Sequence, residues 1–150
     1  DKYFLMLLPD DLIIKKNCSK SMINVHQKYK SSVMASMQVN KSTVSRWGIY
    51  NLSKRLSKSD YLISDVVEKP SIKDAPSNKA VIGRYILPKT IFKKLKNQNP
   101  GNGGEIHITD AIQSLIKDNE KFIAHNFSGK YLDCGTMNGY INSGKKISNL

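Results

Sequence analysis

The chain has 150 residues, a length that fits one domain able to bury roughly 68–70% of the surface that its unfolded form exposes. Hydrophobic residues make up 39% of it and charged residues 24%, which excludes disordered, collagen-like and disulfide-scaffold proteins. The longest apolar run, residues 3–9, is far shorter than the roughly 20 residues that span a bilayer, and no signal peptide precedes it. With only two cysteines, Cys18 and Cys134, we expect free thiols in a soluble cytoplasmic protein with no membrane partner.

The net charge of +12, from 24 basic and 12 acidic residues, raises the question of a nucleic-acid partner. The basic residues are 21 lysines and three arginines, however, and arginine is the residue that makes bidentate contacts to phosphates and guanine edges. The lysines are also spread along the chain instead of forming one block. We therefore expect no nucleic-acid partner, and a basic nucleic-acid module stays an alternative at roughly one in ten.

In the first half of the chain, the pattern predicts a strand, a helix and three more strands. Unbroken apolar sequence over residues 3–8 is typical of a strand buried on both faces of a mostly parallel sheet. Helical spacing then predicts a helix over 19–30, with Ser19 as its N-cap. The other strands predicted in this half are 32–39, 48–52 and 60–68.

The second half begins with a predicted strand over 79–87 and a helix whose first position is Pro88. Thr109 is the predicted cap of the next helix. The remaining predicted features are a glycine loop (Gly101, Gly103, Gly104), a short strand pair (122–127 and 130–133) and a C-terminal helix with an apolar stripe (Met137, Tyr140, Ile141, Ile147). This alternation of strands and helices predicts one α/β domain over residues 1–150, with a mixed sheet.

Common signatures of nucleophilic or metal catalysis are absent from the sequence. The three histidines, His26, His107 and His125, lack metal-ligand spacing, and neither cysteine has a CxxC partner. No G-x-S-x-G, Walker A or G-x-G-x-x-G segment occurs. We therefore do not expect serine or cysteine catalysis.

Acidic residues at predicted strand ends are the remaining candidates. Asp10 and Asp11 follow the first strand, and Asp133 closes the strand at 130–133. Two carboxylates from separate strand ends, with waters and substrate phosphates, form the partial oxygen shell that Mg²⁺ accepts. By spacing alone, a turn-capping role for Asp10 or Asp11 is favoured about two to one. Glu68 and Lys69 form an adjacent acid and base before Pro70, for which a solvated charge pair is likewise the more common explanation.

Several motifs that contain these residues occur in a fixed order along the chain. They are LLPDD at 7–11, VEKP at 67–70, APSN at 75–78 with VIGRYIL at 81–87, GGEI at 103–106 with TDAI at 109–112, and YLDCG at 131–135. Together they resemble the C-terminal half of bacterial UTP:glucose-1-phosphate uridylyltransferases, a family of sugar-nucleotide pyrophosphorylases. Trp47-Gly48-Ile49 stands where that family usually has an aromatic residue, glycine and valine.

The resemblance implies a partial Rossmann-like nucleotidyltransferase fold, a mixed sheet flanked by helices, with the N-terminal half absent. It implies Mg²⁺ as cofactor, with Asp10 and Asp133 as its ligands. Glu68 would accept hydrogen bonds from glucose hydroxyls, and Lys69 would hold the sugar phosphate, so that Asp10 and Lys69 act in catalysis. Gly48 and Gly83 would let the backbone approach the sugar.

The implied reaction joins glucose 1-phosphate and UTP to give UDP-glucose and pyrophosphate. A phosphate dianion is already a nucleophile near neutral pH, so no histidine or serine base is required. Because the nucleotide-binding half has no counterpart here, we expect a truncated chain that is inactive alone and that self-associates through an exposed strand edge. The alternatives are another sugar-1-phosphate nucleotidyltransferase, such as a thymidylyltransferase, and a non-catalytic self-associating fragment.

Overall fold

The computed structural model of the chain describes residues 2–101 and 104–149; Gly103, from the predicted glycine loop, lies outside them. The described residues form eight strands, a 3₁₀-helical segment and four α-helices. The strands are β1 (Tyr3–Leu7), β2 (Asp11–Ile14), β3 (Ser32–Gln38), β4 (Gly48–Arg55), β5 (Asp60–Glu68), β6 (Lys79–Pro88), β7 (Phe122–Asn126) and β8 (Lys130–Asp133). The helices are α1 (Cys18–Tyr29), α2 (Ile91–Asn97), α3 (Ile108–Lys117) and α4 (Met137–Ile147), and the 3₁₀ segment is Lys41–Arg46.

Six strands form the main sheet, in the order β1-β6-β3-β7-β5-β4. Only the β3–β7 pair is parallel; the β1–β6, β3–β6, β5–β7 and β4–β5 pairs are antiparallel. Strand β4, at one end of this order, also pairs with β6 through Ile49 and Ala80, so the sheet curls back on itself. The expected mixed sheet flanked by helices is therefore confirmed.

The two faces of the sheet carry different helices. Helix α1 packs on one face through Cys18, Met22 and Val25. Helices α2 and α3 pack on the other face, where the buried residues from the helices are Ile91, Ala111, Ile112 and Leu115. Residues of β6 alternate between these layers, since Ile82 faces the α1 side and Val81 faces the α2–α3 side. Every helix of the described residues is too short or too polar to cross a membrane.

Strands β2 and β8 form a separate two-stranded antiparallel ribbon. In its register, Asp11 lies opposite Asp133 and Ile14 lies opposite Lys130. The backbone N–H of Cys134 extends this pairing by donating to the Asp10 carbonyl at 2.8 Å. The ribbon brings the chain segment after β1 against the segment before α4.

The structure corrects the predicted environment of the first strand. The prediction of a strand at residues 3–8 is confirmed, but β1 has a single partner strand among the described residues, and that partner, β6, is antiparallel. Leu5 is 37% exposed and Leu7 is 49% exposed, so the strand is not buried on both faces. An apolar run reports strand propensity and hydrophobicity, but it cannot show which neighbours cover the strand.

Helix boundaries differ from the predicted ones at three places. The side chain of Asn17, not Ser19, caps α1 by accepting from the N–H of Lys20. Pro88 ends β6 instead of starting α2, which follows Thr90. Helix α3 begins at Ile108, so Thr109 lies in its first turn, and its side chain is used elsewhere. Pro and Thr are common both at helix starts and in flanking positions, which is why pattern alone misplaced them.

Other features of the elements were mispredicted or missed. Strands β7 and β8 do not pair with each other, since β7 lies in the main sheet and β8 in the ribbon. Strand β2 and the 3₁₀ segment were not predicted, because four or six residues carry too little periodicity. Helix α4 forms as predicted, but its apolar stripe is exposed: Met137, Tyr140, Ile141 and Ile147.

Candidate active site

The start of β4 and the end of β5 bring two predicted site residues together. Gly48 and Glu68 are direct cross-strand partners. A Cβ on Gly48 would lie 3.2 Å from the Oε2 atom of Glu68, so the glycine leaves room beside this carboxylate. Lys69 follows at once, exposed, and its backbone N–H donates to the carbonyl of Trp47 at 3.0 Å. Lys69 has a φ of 45°, a left-handed conformation that costs a non-glycine residue about 1–2 kcal/mol.

The Glu68 carboxylate is held in place by α3. The Thr109 hydroxyl donates to Oε2 of Glu68 at 3.0 Å. Thr109 is buried, whereas Glu68 is half-buried and lines a cleft of about 220 Å³ together with Gly48, Gly83 and Tyr85. A carboxylate that is held by one hydrogen bond and that lines a cleft is suited to accept hydrogen bonds from a polyhydroxylated ligand.

The two predicted metal ligands, Asp10 and Asp133, come together at the ribbon. Oδ2 of Asp10 lies 2.8 Å, and Oδ1 of Asp133 lies 3.4 Å, from the point that a Cβ on Gly135 would occupy. Both carboxylates therefore face the same small space, which is kept open by the absence of a side chain at Gly135. The backbone N–H of Gly135 also donates to Oδ1 of Asp133 at 2.9 Å.

This donor set fits Mg²⁺. The ion prefers hard oxygen ligands and keeps several waters, so one or two carboxylates suffice to bind it. Within the described ranges, no group of three or more His, Cys, Asp or Glu side chains is arranged as a metal site. The fit thus rests on the carboxylates of Asp10 and Asp133 and on the space in front of Gly135.

Asp11, adjacent to Asp10, has a different environment. Its Oδ2 accepts from the backbone N–H of Gly83 at 2.5 Å, and its Oδ1 accepts from the hydroxyl of Tyr131 at 2.5 Å. A single carboxylate thus joins the ribbon to the main sheet, because Gly83 belongs to β6. Both of its oxygens have partners within the protein.

Gly83 lines the cleft, but its missing side chain serves packing. A Cβ there would lie 2.5 Å from Oδ2 of Asp11 and 2.6 Å from the Cβ of Leu8. Both distances are far below ordinary van der Waals contact. Its lack of a side chain therefore makes room for the segment between β1 and β2.

A buried tyrosine, Tyr85, and a half-buried one, Tyr131, lie near these carboxylates. Burial raises the pKa of Tyr85 well above its ordinary value, and the negative charges of Asp11, Glu68 and Asp10 raise it further. Burial likewise raises the pKa of Tyr131, and its hydrogen bond to Asp11 adds to the effect. Both phenols consequently stay protonated well beyond neutral pH, and Tyr131 remains a hydrogen-bond donor to Asp11.

Arg46 provides a positive charge at the same place. Its guanidinium lies 3.4 Å from Oδ2 of Asp133, with 59% of the side chain exposed, and it lies 5.8 Å from the centre of the Trp47 ring. Trp47 in turn meets the ring of Tyr131 edge-on at 5.8 Å. Arg46 also lines the cleft, so it can contact both Asp133 and an anionic ligand there.

Sequence reasoning thus found some residues of this cluster and missed others. Gly48, Glu68 and Gly83 line one cleft together with Asp11 and Arg46, and Arg46 connects this cleft to Asp133, with which it pairs at 3.4 Å. Arg46 and Tyr131 were not predicted as part of the site. A scarcity argument could have pointed to Arg46, since it is one of only three arginines.

Comparisons with known proteins identify the family and agree with the fold. The family model for nucleotidyl transferases matches residues 1–149. A UTP–glucose-1-phosphate uridylyltransferase of Pseudomonas aeruginosa is 40% identical over 144 residues, which are 94% of this chain and 51% of the relative. A crystal structure of UDP-glucose pyrophosphorylase complexed with UDP-glucose superposes with a TM-score of 0.92 at 40% identity, over 99% of this chain and 56% of that one.

A further relative and a further structure show the same relation. UTP–glucose-1-phosphate uridylyltransferase 2 of Streptococcus pyogenes is 37% identical over 92% of this chain and 48% of the relative. A UTP-bound pyrophosphorylase of Acinetobacter baumannii superposes with a TM-score of 0.80 at 31% identity, over 98% of this chain and 50% of that one. The chain therefore spans about half the length of the curated relatives that it matches.

Proposed function

The chain belongs to the nucleotidyl transferase family, and on that basis we propose that it is the sugar-phosphate and metal-binding part of an enzyme that makes UDP-glucose. The proposed reaction transfers the uridylyl group of UTP to glucose 1-phosphate and releases pyrophosphate. Two findings support this proposal. Relatives at 40% and 37% identity are named UTP–glucose-1-phosphate uridylyltransferases, and a similar structure is a complex with UDP-glucose.

The observation that carries the proposal is a pair of neighbouring arrangements that Arg46 connects, since Arg46 lines the cleft and pairs with Asp133. One is the Gly48–Glu68 pair, a neutral glycine beside a carboxylate fixed by Thr109. The other consists of the Asp10 and Asp133 carboxylates around Gly135. The first arrangement suits a sugar, and the second suits a cation that accompanies phosphates.

The residues of this chain would act by binding and by balancing charge. A phosphate oxygen of glucose 1-phosphate attacks the α-phosphorus of UTP in line; the new P–O bond forms as the bond to the β-phosphate oxygen breaks, and pyrophosphate leaves. No proton has to move, because the attacking phosphate is already an anion. Glu68 orients the sugar through its hydroxyls, and Lys69 neutralises the sugar phosphate while it approaches a second anion.

Mg²⁺ is the cofactor that we propose for Asp10 and Asp133. When bound, it supplies positive charge to the reacting phosphates and to the leaving pyrophosphate. Asp10 and Asp133 would hold the cation, and Arg46, which contacts Asp133, would balance the remaining charge. Gly135 keeps the space between the carboxylates open.

We propose two further properties that the sequence led us to expect. The protein is cytoplasmic, in keeping with its two free thiols, Cys18 and Cys134. The chain also self-associates, because exposed Leu5 and Leu7 accompany the edge of β1. Sedimentation velocity at increasing protein concentration tests this association, and a single monomeric species throughout would refute it.

Calorimetric titration of the chain with UDP-glucose tests the proposed function. We expect binding that depends on Mg²⁺ and that is weaker, by roughly ten- to a hundredfold, in Glu68→Gln, because one charge-assisted hydrogen bond is worth about 1.5–3 kcal/mol. Glu105→Gln is the matched control, since Glu105 is exposed and lies outside the residues that line the cleft. Titration with dTDP-glucose tests whether the chain binds the uridine or the thymidine nucleotide sugar more tightly.

The result that would contradict the proposal is equally concrete. Equal affinity of the unchanged chain and Glu68→Gln would remove Glu68 from the sugar site. Binding that is indifferent to Mg²⁺ would remove the metal from the proposal. Preferential binding of a nucleic acid, with a steep salt dependence, would favour the alternative raised by the charge.

A further inference from the structure

We propose that Asp11 is a positioning residue of the site: its carboxylate fixes the ribbon that carries Asp10 and Asp133 against the sheet that carries Glu68 and Lys69. This inference rests on the proposed function, since it assigns to Asp11 the positioning of Asp10 and Asp133, the carboxylates proposed to bind the metal. Asp11 lines the same cleft as Glu68, but both of its oxygens accept hydrogen bonds from the protein, so we assign it to positioning and not to binding of the sugar or the metal.

The contacts of Asp11 connect three strands that are far apart in sequence. The carboxylate belongs to β2, while its two donors belong to β6 and β8, 72 and 120 residues further along the chain. Both contacts are within hydrogen-bond distance, and a carboxylate is a stronger acceptor than a neutral oxygen. Other contacts at this point are the Leu8 N–H, which donates to the carbonyl of Gly83 at 2.8 Å, the Arg84 guanidinium, which donates to the carbonyl of Leu8 at 3.0 Å, and the Trp47 ring, which meets Tyr131.

The position of Asp11 decides where the metal carboxylates point. Asp11 is the residue after Asp10 and the cross-strand partner of Asp133. A shift of Asp11 relative to Gly83 therefore moves both carboxylates together, away from the cleft that Glu68 lines. Since productive phosphoryl transfer requires placement to within about 1 Å, such a shift costs binding and turnover without removing any ligand.

Two substitutions at Asp11 separate position from charge. Asp11→Asn removes the negative charge but keeps the shape: its oxygen accepts from Gly83 N–H, and its NH₂ donates to the Tyr131 hydroxyl oxygen, which also accepts hydrogen bonds. Asp11→Ala removes the same charge and both contacts. Any difference between the two variants therefore measures positioning.

Hydrogen exchange followed by NMR tests the connection without metal. We expect two amides, that of Leu8, which donates to Gly83 of the main sheet, and that of Cys134, which donates to Asp10 at the end of the ribbon, to exchange about tenfold or more faster in Asp11→Ala, while Asp11→Asn stays within about threefold of the unchanged chain. Amides of α3 serve as the internal reference. Equal exchange in all three proteins would overturn the proposal.

A Mn²⁺ titration followed by electron paramagnetic resonance tests the consequence for the metal site. Mn²⁺ affinity should be about tenfold weaker in Asp11→Ala than in Asp11→Asn. Tyr131→Phe keeps the charge and loses one contact, so it should weaken Mn²⁺ binding by about threefold, and exposed Tyr140→Phe is its control. Equal affinity of Asp11→Ala and Asp11→Asn would show that the two contacts of Asp11 have no effect on the metal site and would refute positioning.

Asp10→Asn distinguishes failure of this inference from failure of the proposed function. If Mn²⁺ binding is the same with and without Asp10→Asn, the proposed metal site is wrong, and hydrogen exchange alone decides whether Asp11 holds the ribbon. If Asp10→Asn abolishes binding but the two Asp11 variants agree, the metal site stands and the positioning role is wrong.

Discussion

Gly135 lies between the two carboxylates of the proposed metal site, so that a methyl side chain at this position would push them apart. A Cβ there would come within 2.8 Å of Oδ2 of Asp10, closer than such atoms approach in folded proteins. We predict that Gly135→Ala weakens Mn²⁺ binding by about tenfold, because Asp10 has to turn away from Asp133. A titration followed by electron paramagnetic resonance measures this change.

Gly144→Ala is the matched control for that prediction. A Cβ at Gly144, in α4, meets no atom within 4 Å, and alanine stabilises a helix interior by roughly 0.5–1 kcal/mol relative to glycine. Gly144→Ala should therefore bind Mn²⁺ as the unchanged chain does and unfold at a slightly higher temperature. If both variants bind Mn²⁺ as the unchanged chain does, the two carboxylates do not share a cation at Gly135.

At the scale of residues, the sequence predicted the candidate site residues that stand at strand ends. It could not predict the residues whose hydrogen bonds position them. Asp10, Asp133, Glu68 and Lys69 were singled out because acids and bases after strands are chemically informative. The role of Asp11 was out of reach, since its donors lie 72 and 120 residues away and only the folded sheet brings them together. The roles of the predicted residues as ligands stay predictions.

At the scale of elements, one buried polar chain joins α1, β5 and β7. The Asp60 carboxylate accepts from the Ser57 hydroxyl at 2.8 Å and lies 2.7 Å from Nδ1 of His125, whose Nε2 lies 3.0 Å from the hydroxyl of Ser21. We predict that Asp60→Asn lowers the free energy of unfolding by about 2 kcal/mol, because an amide has one acceptor oxygen for two buried donors. Urea denaturation measures the change.

Asp118→Asn shows what the loss of an exposed carboxylate costs. Asp118 pairs with Lys94 at 2.6 Å, but 57% of its side chain is exposed. Pairs of this kind contribute about 0–1 kcal/mol. A loss as large in Asp118→Asn as in Asp60→Asn would mean that the buried chain has no special part in holding these elements together.

The order of elements was largely predictable, but their neighbours were not. Strands β3 to β6 and helix α3 follow from local periodicity, and their limits agree to within a few residues. That β1 is paired antiparallel to β6, and that β8 leaves the main sheet for β2, depends on contacts between distant segments. The apolar stripe of α4 illustrates the same limit, since amphipathic spacing predicts a helix but not what covers it.

At the scale of the whole molecule, several buried groups make the fold sensitive to alkali. Burial raises the pKa of Cys18 from 9.0 to about 11, against the opposing charge of Arg84, and burial also raises the pKa values of Tyr50, Tyr85 and Tyr131. These groups ionise more readily in the unfolded chain than in the folded one. The contribution of Cys18 to stability is therefore complete below pH 9 and is lost as the pH rises through about 11, and the contribution of the tyrosines begins to fall above pH 10.

Thermal unfolding between pH 7.5 and pH 11 measures this loss as a falling melting temperature. Tyr50→Phe is the informative variant, because Tyr50 is fully buried and its hydroxyl donates to the carbonyl of Ala35. It should be less stable than the unchanged chain at pH 7.5 but lose less stability on going to pH 11. The same loss in both proteins would remove Tyr50 from the alkaline transition.

We also predict that the chain by itself does not turn over UTP and glucose 1-phosphate. It spans about half the length of its curated relatives, and catalysis by positioning requires both substrates to be held at once, with effective molarities of roughly 10⁵ M or more. A pyrophosphate-release assay with Mg²⁺ should show no product. Turnover that disappears in Asp10→Asn would show that the chain alone binds both substrates.

The place of β7 in the main sheet constrains how the chain can fold. It lies between β3 and β5, which are both made earlier, and its pairing of Ser32 with Phe122 closes a loop of about 90 residues. During synthesis, β3 and β5 must therefore leave a gap for a strand that has not yet emerged from the ribosome. Such long-range pairing slows folding and leaves strand edges open, so the nascent chain should depend on chaperones until residue 126 has emerged from the ribosome. The insertion of β7 between β3 and β5 should then be a late, slow kinetic phase of folding.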